Sequence, residues 1–330
     1  MAWSRFLRFS DPFLCQQAIQ AADVEILPLQ KGTFHSSIAQ IGIDKVWMQR
    51  FEVDLPHIAT IAVNPRRRVF SFLTDASSRL QYCGRQASSG DIVVVGSDVV
   101  HHKSEPAFSY GSISLPADEF PSLCRTIIGR EFLEDPQVSF IRPTPALMSR
   151  LLKSHHAVAR LAHDVPEIFQ LPEVRRSLEE RLIHLMIRCL AEGAGIETPT
   201  GGRRHCAIIA RFEEFLRMNR NRPLYLIDIC AAIGVAERTL RAACEEHFGM
   251  GPIRFLTLRR THLVHRALLS ADPRETSVTR IVTDHGFWEL GRFAVAYRTL
   301  FGESPSETLR RPASRPAQSW SASSVATTVL

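Results

Sequence analysis

An internal repeat constrains this chain more than any other feature. The segment "DICAAIGV" (228–235) resembles "RIVTDHGF" (280–287), with Ile229 and Gly234 matching Ile281 and Gly286 at an offset of 52. Farther on, Leu240, Phe248, Gly249 and Pro252 match Phe293, Phe301, Gly302 and Pro305 at an offset of 53, so the second copy carries one extra residue in its turn. Each copy reads as a short helix, a turn at glycine, a second helix, a Phe-Gly stop and a third helix started by proline. The turn glycine supplies the positive φ that a sharp helix-to-helix corner needs. Each second helix has one packing face: Leu240, Ala243, Cys244 and His247 in the first copy, Phe293, Tyr297 and Leu300 in the second. Two helices crossing steeply over a short turn form a helix-turn-helix, whose second helix fits a DNA major groove. In the second copy that helix runs from Gly291 to Phe301, and Gly302 stops it. Ser304-Pro305-Ser306-Glu307 then spells a capping box with proline at the first helical position, which restarts the chain as a closing helix.

Charge separates the repeat from the rest of the chain. Residues 203–311 hold 18 Arg, no Lys and 12 acidic residues, a net +6, whereas residues 1–202 hold 21 Lys/Arg against 22 Asp/Glu. A basic C-terminal half beside a nearly neutral N-terminal half points to one part that binds a polyanion and another with a different task. The 330 residues suffice for about two domains, and 45% hydrophobic residues give each a core. No run of eighteen or more apolar residues appears, so no membrane span is expected. The start, "MAWSRFLRFSDPFLC", lacks the uninterrupted apolar stretch of a secretory signal. The seven cysteines, at 15, 83, 124, 189, 206, 230 and 244, form no C-x-x-C pair and read as free thiols of a reducing cytoplasm rather than a disulfide framework or zinc site.

The N-terminal half reads as strands from about Val24 to Leu115. "VWMQRFEV" (46–53), "RVFSFL" (68–73), "GDIVVVG" (90–96) and "YGSISL" (110–115) are short, β-branched or aromatic, and bounded by turn residues, which suggests a sandwich or a small barrel. Helices follow. Thr144-Pro145 is a start signal, and Leu147, Leu151, Val158 and Leu161 share a face. After Pro172, Val174, Leu178, Leu182, Leu185 and Cys189 form a narrow apolar stripe with charged shoulders. Such a stripe suits pairing with a second copy of the helix, and it equally suits packing within the chain. Gly193 ends that helix, and "GAGIETPTGGRR" (193–204) reads as a linker. The boundaries expected are residues 1–192, a linker at 193–204, a helical domain at 205–311 and a Pro/Ser/Ala-rich disordered tail at 312–330.

The stretches "IDICAAIGVAERTLRAACEEHFGMGPIRFLTLRR" and "VTRIVTDHGFWELGRFAVAYRTLFGESPSETLRR" resemble the DNA-binding domain of AraC/XylS-type transcriptional regulators. The resemblance covers about a third of the chain. It implies two helix-turn-helix units joined by a long helix, here about Pro252 to Leu269, and, in the N-terminal half, a cupin-like β-barrel that binds a small effector. The fold expected is therefore α+β multidomain: a cupin-like β-barrel with following helices, then an all-α domain with two helix-turn-helix units. Partners implied are double-stranded promoter DNA, RNA polymerase, a small-molecule effector and a second copy in a homodimer. Ala236 departs from the pattern, because the family usually has Ser or Thr capping the first recognition helix, and alanine caps poorly.

Outward residues of the first recognition helix are Glu237, Arg238, Arg241, Ala242 and Glu245. Arg238 and Arg241 suit guanine O6/N7 or phosphate, and Glu237 could accept from cytosine N4. In the second copy, Glu289, Arg292 and Arg298 are the exposed candidates, with Val295 able to touch a thymine methyl group. That face is poorer in polar readers, so it is expected to position more than to specify. The alternative for any one residue is a solvated charged helix face. "SSGDIVVVGSDVVHH" (88–102) resembles a late cupin segment, but His101-His102 are adjacent and point to opposite faces of a strand, so no metal site is expected. His155-His156 reads as surface or interface, and Arg66-Arg67-Arg68 as a solvated loop. With no Walker loop, G-x-S-x-G or G-x-G-x-x-G present, neither a catalytic residue nor a cofactor is expected. A metal-dependent cupin-type enzyme with an attached helical domain, and a DNA-repair methyltransferase using Cys124, are the competing classes.

Overall fold

The computed structural model describes residues 2–19, 22–95, 99–132, 139–196, 200–219 and 224–311. The strands are β1 (Ala2–Phe9), β2 (Ala22–Pro28), β3 (Ser36–Ile43), β4 (Val46–Val53), β5 (His57–Val63), β6 (Arg67–Leu73), β7 (Leu80–Tyr82), β8 (Arg85–Ala87), β9 (Ile92–Val95), β10 (Val99–Ser104), β11 (Phe108–Pro116), β12 (Ser139–Arg142) and β13 (Ala194–Ile196). The helices are α1 (Pro12–Gln17), α2 (Phe120–Ile128), α3 (Pro145–Asp164), α4 (Pro172–Glu192), α5 (Thr200–Met218), α6 (Leu226–Ile233), α7 (Glu237–Phe248), α8 (Pro252–Ser270), α9 (Val278–Asp284), α10 (Leu290–Phe301) and α11 (Pro305–Arg310).

Strand alternation builds the N-terminal half into layers. One antiparallel sheet runs β1-β3-β4-β11-β6-β9-β12-β13, and the other runs β2-β5-β10-β7-β8. Ile38, Phe51, Val93 and Val95 of the first sheet pack with Val24, Ala59, Leu80 and Val100 of the second. Successive side chains of a strand point to opposite faces. Ile41, Met48, Ile92 and Val94 therefore lie on the far face of the first sheet, in a core shared with α2, α3 and α4. This explains why "IVVV" is apolar without a break: both faces are covered. Among the described residues the barrel expected from the sequence is not closed: the ladders stop at β1 and β13 in one sheet and at β2 and β8 in the other, leaving two sheets packed face to face.

Four further expectations are corrected. The stripe on α4 is internal: Leu182, Leu185 and Cys189 are buried in the core shared with the first sheet, and Leu178 packs against it, so the stripe is not free to form a dimer seam. His155 is buried in that region, its Nε2 3.1 Å from the Gln49 carbonyl, while its neighbour His156 is exposed. Arg67 and Arg68 belong to β6 rather than to a loop. The Arg67 guanidinium lies 4.5 Å from the Trp47 ring and donates to the Lys45 carbonyl, an apolar shelf and an acceptor the triplet could not reveal. The stretch 193–204 holds β13, paired with β12, and the start of α5. The tail at 312–330 lies outside the described residues.

The second sheet turns its outer face to the C-terminal helices. Leu27 of β2 and Ile58 of β5 complete the core formed by Ile209, Phe212, Ile229, Leu240, Phe248 and Phe255. Polar groups fill the same seam. Glu213 of α5 is buried, accepts from Thr60 Oγ1 at 2.8 Å and lies 3.2 Å from His101 Nδ1. The other nitrogen of His101 is 2.7 Å from His247 Nδ1 on α7. Buried Arg259 of α8 pairs with Glu25 at 3.0 Å, and His262 Nε2 donates to the Pro28 carbonyl at 3.0 Å.

Leu182→Glu is expected to cost about 4 kcal/mol or more, since it buries a carboxylate with no partner. Circular dichroism and sedimentation should show unfolded or aggregated protein. A folded monomer would mean that α4 pairs between chains instead. Burial, with His101 and His205 nearby, pushes His247 from the usual 6.5 down to about 3, and burial pushes His262 and His155 down to about 4. An unfolded chain takes up these protons below pH 6.5 while the folded chain excludes them, so stability is full above that value and lost as pH falls toward the folded values. The thermal midpoint should hold steady down to about pH 7 and drop progressively from about pH 6 to about pH 4. A constant midpoint across that range contradicts the buried neutral histidines.

Candidate nucleic-acid interface

The repeat folds as two helix-turn-helix units. In the first, α6 ends at Gly234, whose φ of +64° turns the chain through Val235 into α7. In the second, α9 is capped by the Ser277 side chain, and Gly286, at φ +79°, turns the chain through Phe287 and Trp288 into α10. A side chain bearing Cβ is disfavoured at these angles, so glycine is the residue that makes each corner. Both second helices are 12 residues long and end at a left-handed glycine, Gly249 and Gly302. The capping box at Ser304 and Glu307 is formed and starts α11.

Each unit has its own core. Ile229, Ile233, Leu240, Ala243 and Cys244 are buried in the first. Ile281, Val282, Phe293, Tyr297 and Leu309 are buried in the second. There the Tyr297 hydroxyl lies 2.6 Å from His265 Nδ1 and donates to Thr308 Oγ1 at 2.8 Å, so the buried phenol is satisfied. Helix α8 supplies Phe255 and Leu256 to the first core and Val264 and Leu268 to the second. The two units therefore share one rigid member.

Burying these inner faces leaves the opposite faces open. Glu237, Arg238, Arg241, Ala242 and Glu245 of α7 are all exposed. So are Glu289, Arg292, Val295 and Arg298, with Glu289 at the N-cap of α10. Arg241 Nη2 is 2.8 Å from Glu237 Oε1, and Arg292 Nη1 is 3.0 Å from Glu289 Oε2. Exposed pairs three or four residues apart on a helix are worth about 0.3–0.5 kcal/mol, so a phosphate or base edge can displace either carboxylate. Neither α7 nor α10 has a side-chain cap; Ala236 makes no cap bond, as its methyl group requires. First-turn N–H groups without such a cap can donate to phosphate oxygens.

Sequence reasoning missed two features. Trp288, in the second turn, is 85% exposed; the shift of the repeat from 52 to 53 residues was the signal for it. The seam joins His101 to Glu213 and His247, each more than a hundred positions away from it, and nothing local in the sequence marks it. Among the described residues no group of three or more His, Cys, Asp or Glu is placed to hold a metal ion. Cys124 is fully buried.

Residues 229–311 match a helix-turn-helix domain family. A Rhodococcus erythropolis protein named probable thc operon regulatory protein is 36% identical over 97 residues, which is 29% of this chain and 29% of that one. The XylDLEGF operon transcriptional activator 3 of Pseudomonas putida is 28% identical over 141 residues, 43% of this chain and 42% of its own. The double helix-turn-helix of this chain is of the AraC/XylS type. A solved AraC family transcriptional regulator from Rhodopseudomonas palustris is 36% identical, covering 32% of this chain and 98% of that one, with a TM-score of 0.29. The match thus spans less than half the length of the two curated relatives. No helix among the described residues is long and apolar enough to cross a membrane.

Proposed function

We propose that this AraC/XylS-type protein is a sequence-specific transcriptional regulator that binds double-stranded promoter DNA through both helix-turn-helix units. The observation that carries this reading is the pair of solvent-open recognition faces held on one helix, α8, in a domain whose basic residues are all arginine. In the first unit Arg238 and Arg241 reach guanine edges or phosphates, and Glu237 meets a cytosine amino group. Glu245, nearer the end of α7, and the small Ala242 shape the fit. In the second unit Arg292 and Arg298 hold phosphates, and Glu289 and Val295 face the groove.

Effector control belongs to the same reading. Between the two sheets lies a cavity of about 50 Å³ lined by Val24, Val63, Leu80, Val95 and Phe108, with Tyr82, Tyr110, His102, Gln49 and Asp91 among its polar groups. Burial lowers the affinity of His102 for a proton and raises both phenols above their usual range, so these three groups are uncharged, and the Asp91 carboxylate is held by Arg142 at 2.8 Å. Such walls favour a small, largely apolar effector. A homodimer, a contact with RNA polymerase and a cytoplasmic site of action complete the reading on the strength of the family.

With about six phosphates contacted, log affinity of the full-length chain for genome-selected sites should fall with log salt at a slope near −5. Binding that is undetectable or indifferent to salt removes the function. Arg241→Ala should cost about 1–3 kcal/mol on the selected site and less on scrambled DNA, while Glu245→Ala costs less than either. Equal losses on both DNAs would make Arg241 a phosphate contact.

A further inference from the structure

The two recognition helices differ in chemistry position by position. Superposing the repeats at the 53-residue offset places Glu237 on Leu290, Arg238 on Gly291, Arg241 on Ala294 and Ala242 on Val295. Three residues that can hydrogen-bond a base edge in the first unit are thus apolar in the second. Val295 is 70% exposed and lies on the side of α10 opposite Phe293 and Tyr297.

The extra residue of the second copy adds to that face. Val235 packs on the first core, and its counterpart Phe287 packs on the second, 4.6 Å from the Phe293 ring and under the Arg260 guanidinium at 5.1 Å. In the first unit the helix cap Ala236 follows Val235 directly; in the second, Trp288 stands between Phe287 and the cap Glu289. The inserted residue is therefore Trp288, the most exposed large apolar side chain among the described residues. It stands where α10 begins, the part of a recognition helix that meets base edges. The arginines beside it, Arg292 and Arg298, are exposed, so the surroundings attract a polyanion while the face itself is poorer in polar readers than that of the first unit.

In the major groove the one apolar feature of a base is the C5-methyl group of thymine. We infer that the second helix-turn-helix reads thymine methyl groups with Trp288 and Val295, so that its half-site is rich in A·T pairs whereas the first unit selects hydrogen-bonding edges. This rests on the DNA-binding reading above and adds to it the base class of one half-site. Gly291, with no side chain, lets the start of α10 approach those methyl groups closely.

Deoxyuridine tests this directly, because it removes the methyl group and leaves every hydrogen-bonding group of thymine in place. Sites are selected from random duplexes with the full-length chain, and the half-site whose base preference relaxes in Arg241→Ala is assigned to the first unit. Replacing thymine by deoxyuridine in the other half should weaken binding about fourfold per contacted methyl, the effect of burying one such group. The same replacement in the first half should change little. Trp288→Ala, at a solvent-exposed position, should stay folded, lose about tenfold in affinity and lose its sensitivity to deoxyuridine, whereas Trp288→Phe should keep that sensitivity. The inference is overturned if the second half-site holds no fixed thymine, if deoxyuridine binds as well as thymine there, or if Trp288→Ala weakens thymine and uridine DNA equally. Wild-type protein with no sequence preference at all overturns the DNA-binding reading as well.

Discussion

Helix α8 packs Phe255 and Leu256 into the first helix-turn-helix core and Val264 and Leu268 into the second. Neither unit can shift against the other without pulling large side chains out of a core, at about 2–5 kcal/mol for each one lost. At 19 residues the helix is about 28 Å long, of the same order as one turn of duplex DNA. Its middle is tied to the N-terminal half through Arg259 to Glu25 and His262 to Pro28. Spacing of the two recognition helices and attachment to the sandwich thus depend on one element.

The sandwich also meets α7 itself. Strand β10 carries His102 toward the cavity between the sheets and His101 toward Glu213 and His247. Adjacent residues of a strand point to opposite faces, so one peptide bond separates the cavity wall from a side chain that touches the inner face of the first recognition helix. Under the proposed function, a ligand that shifts β10 has a short mechanical route to α7, and the tight packing of the seam gives that route little slack.

Much of the C-terminal domain was legible in the sequence because its signals are local. Gly234, Gly286, Gly249 and Gly302 each mark a conformation that glycine favours, and Ser304 through Glu307 spells its own cap. Helical period then assigned Leu240 and Phe293 inward, which left the candidate DNA-facing residues outward. The N-terminal half was less legible because its outcome is set by what covers each face. The α4 stripe fitted a partner helix or an internal sheet equally well, and only the apolar far face of β4, β6 and β9 decides between them. His155 and Arg67 went astray for the same reason, their acceptors lying on strands distant in sequence. Trp288 shows a further limit: the repeat announced an insertion, and only the fold showed that Phe287 fills the core and leaves the indole outside.

The central claim is that one rigid helix presents two recognition helices to one side of a duplex. Hydroxyl-radical footprinting of the full-length protein on a selected site measures this most directly. For each bound chain the account predicts two protected patches on the same face of the DNA, centred about 10 base pairs apart. A single protected patch, or two patches on opposite faces, would contradict it.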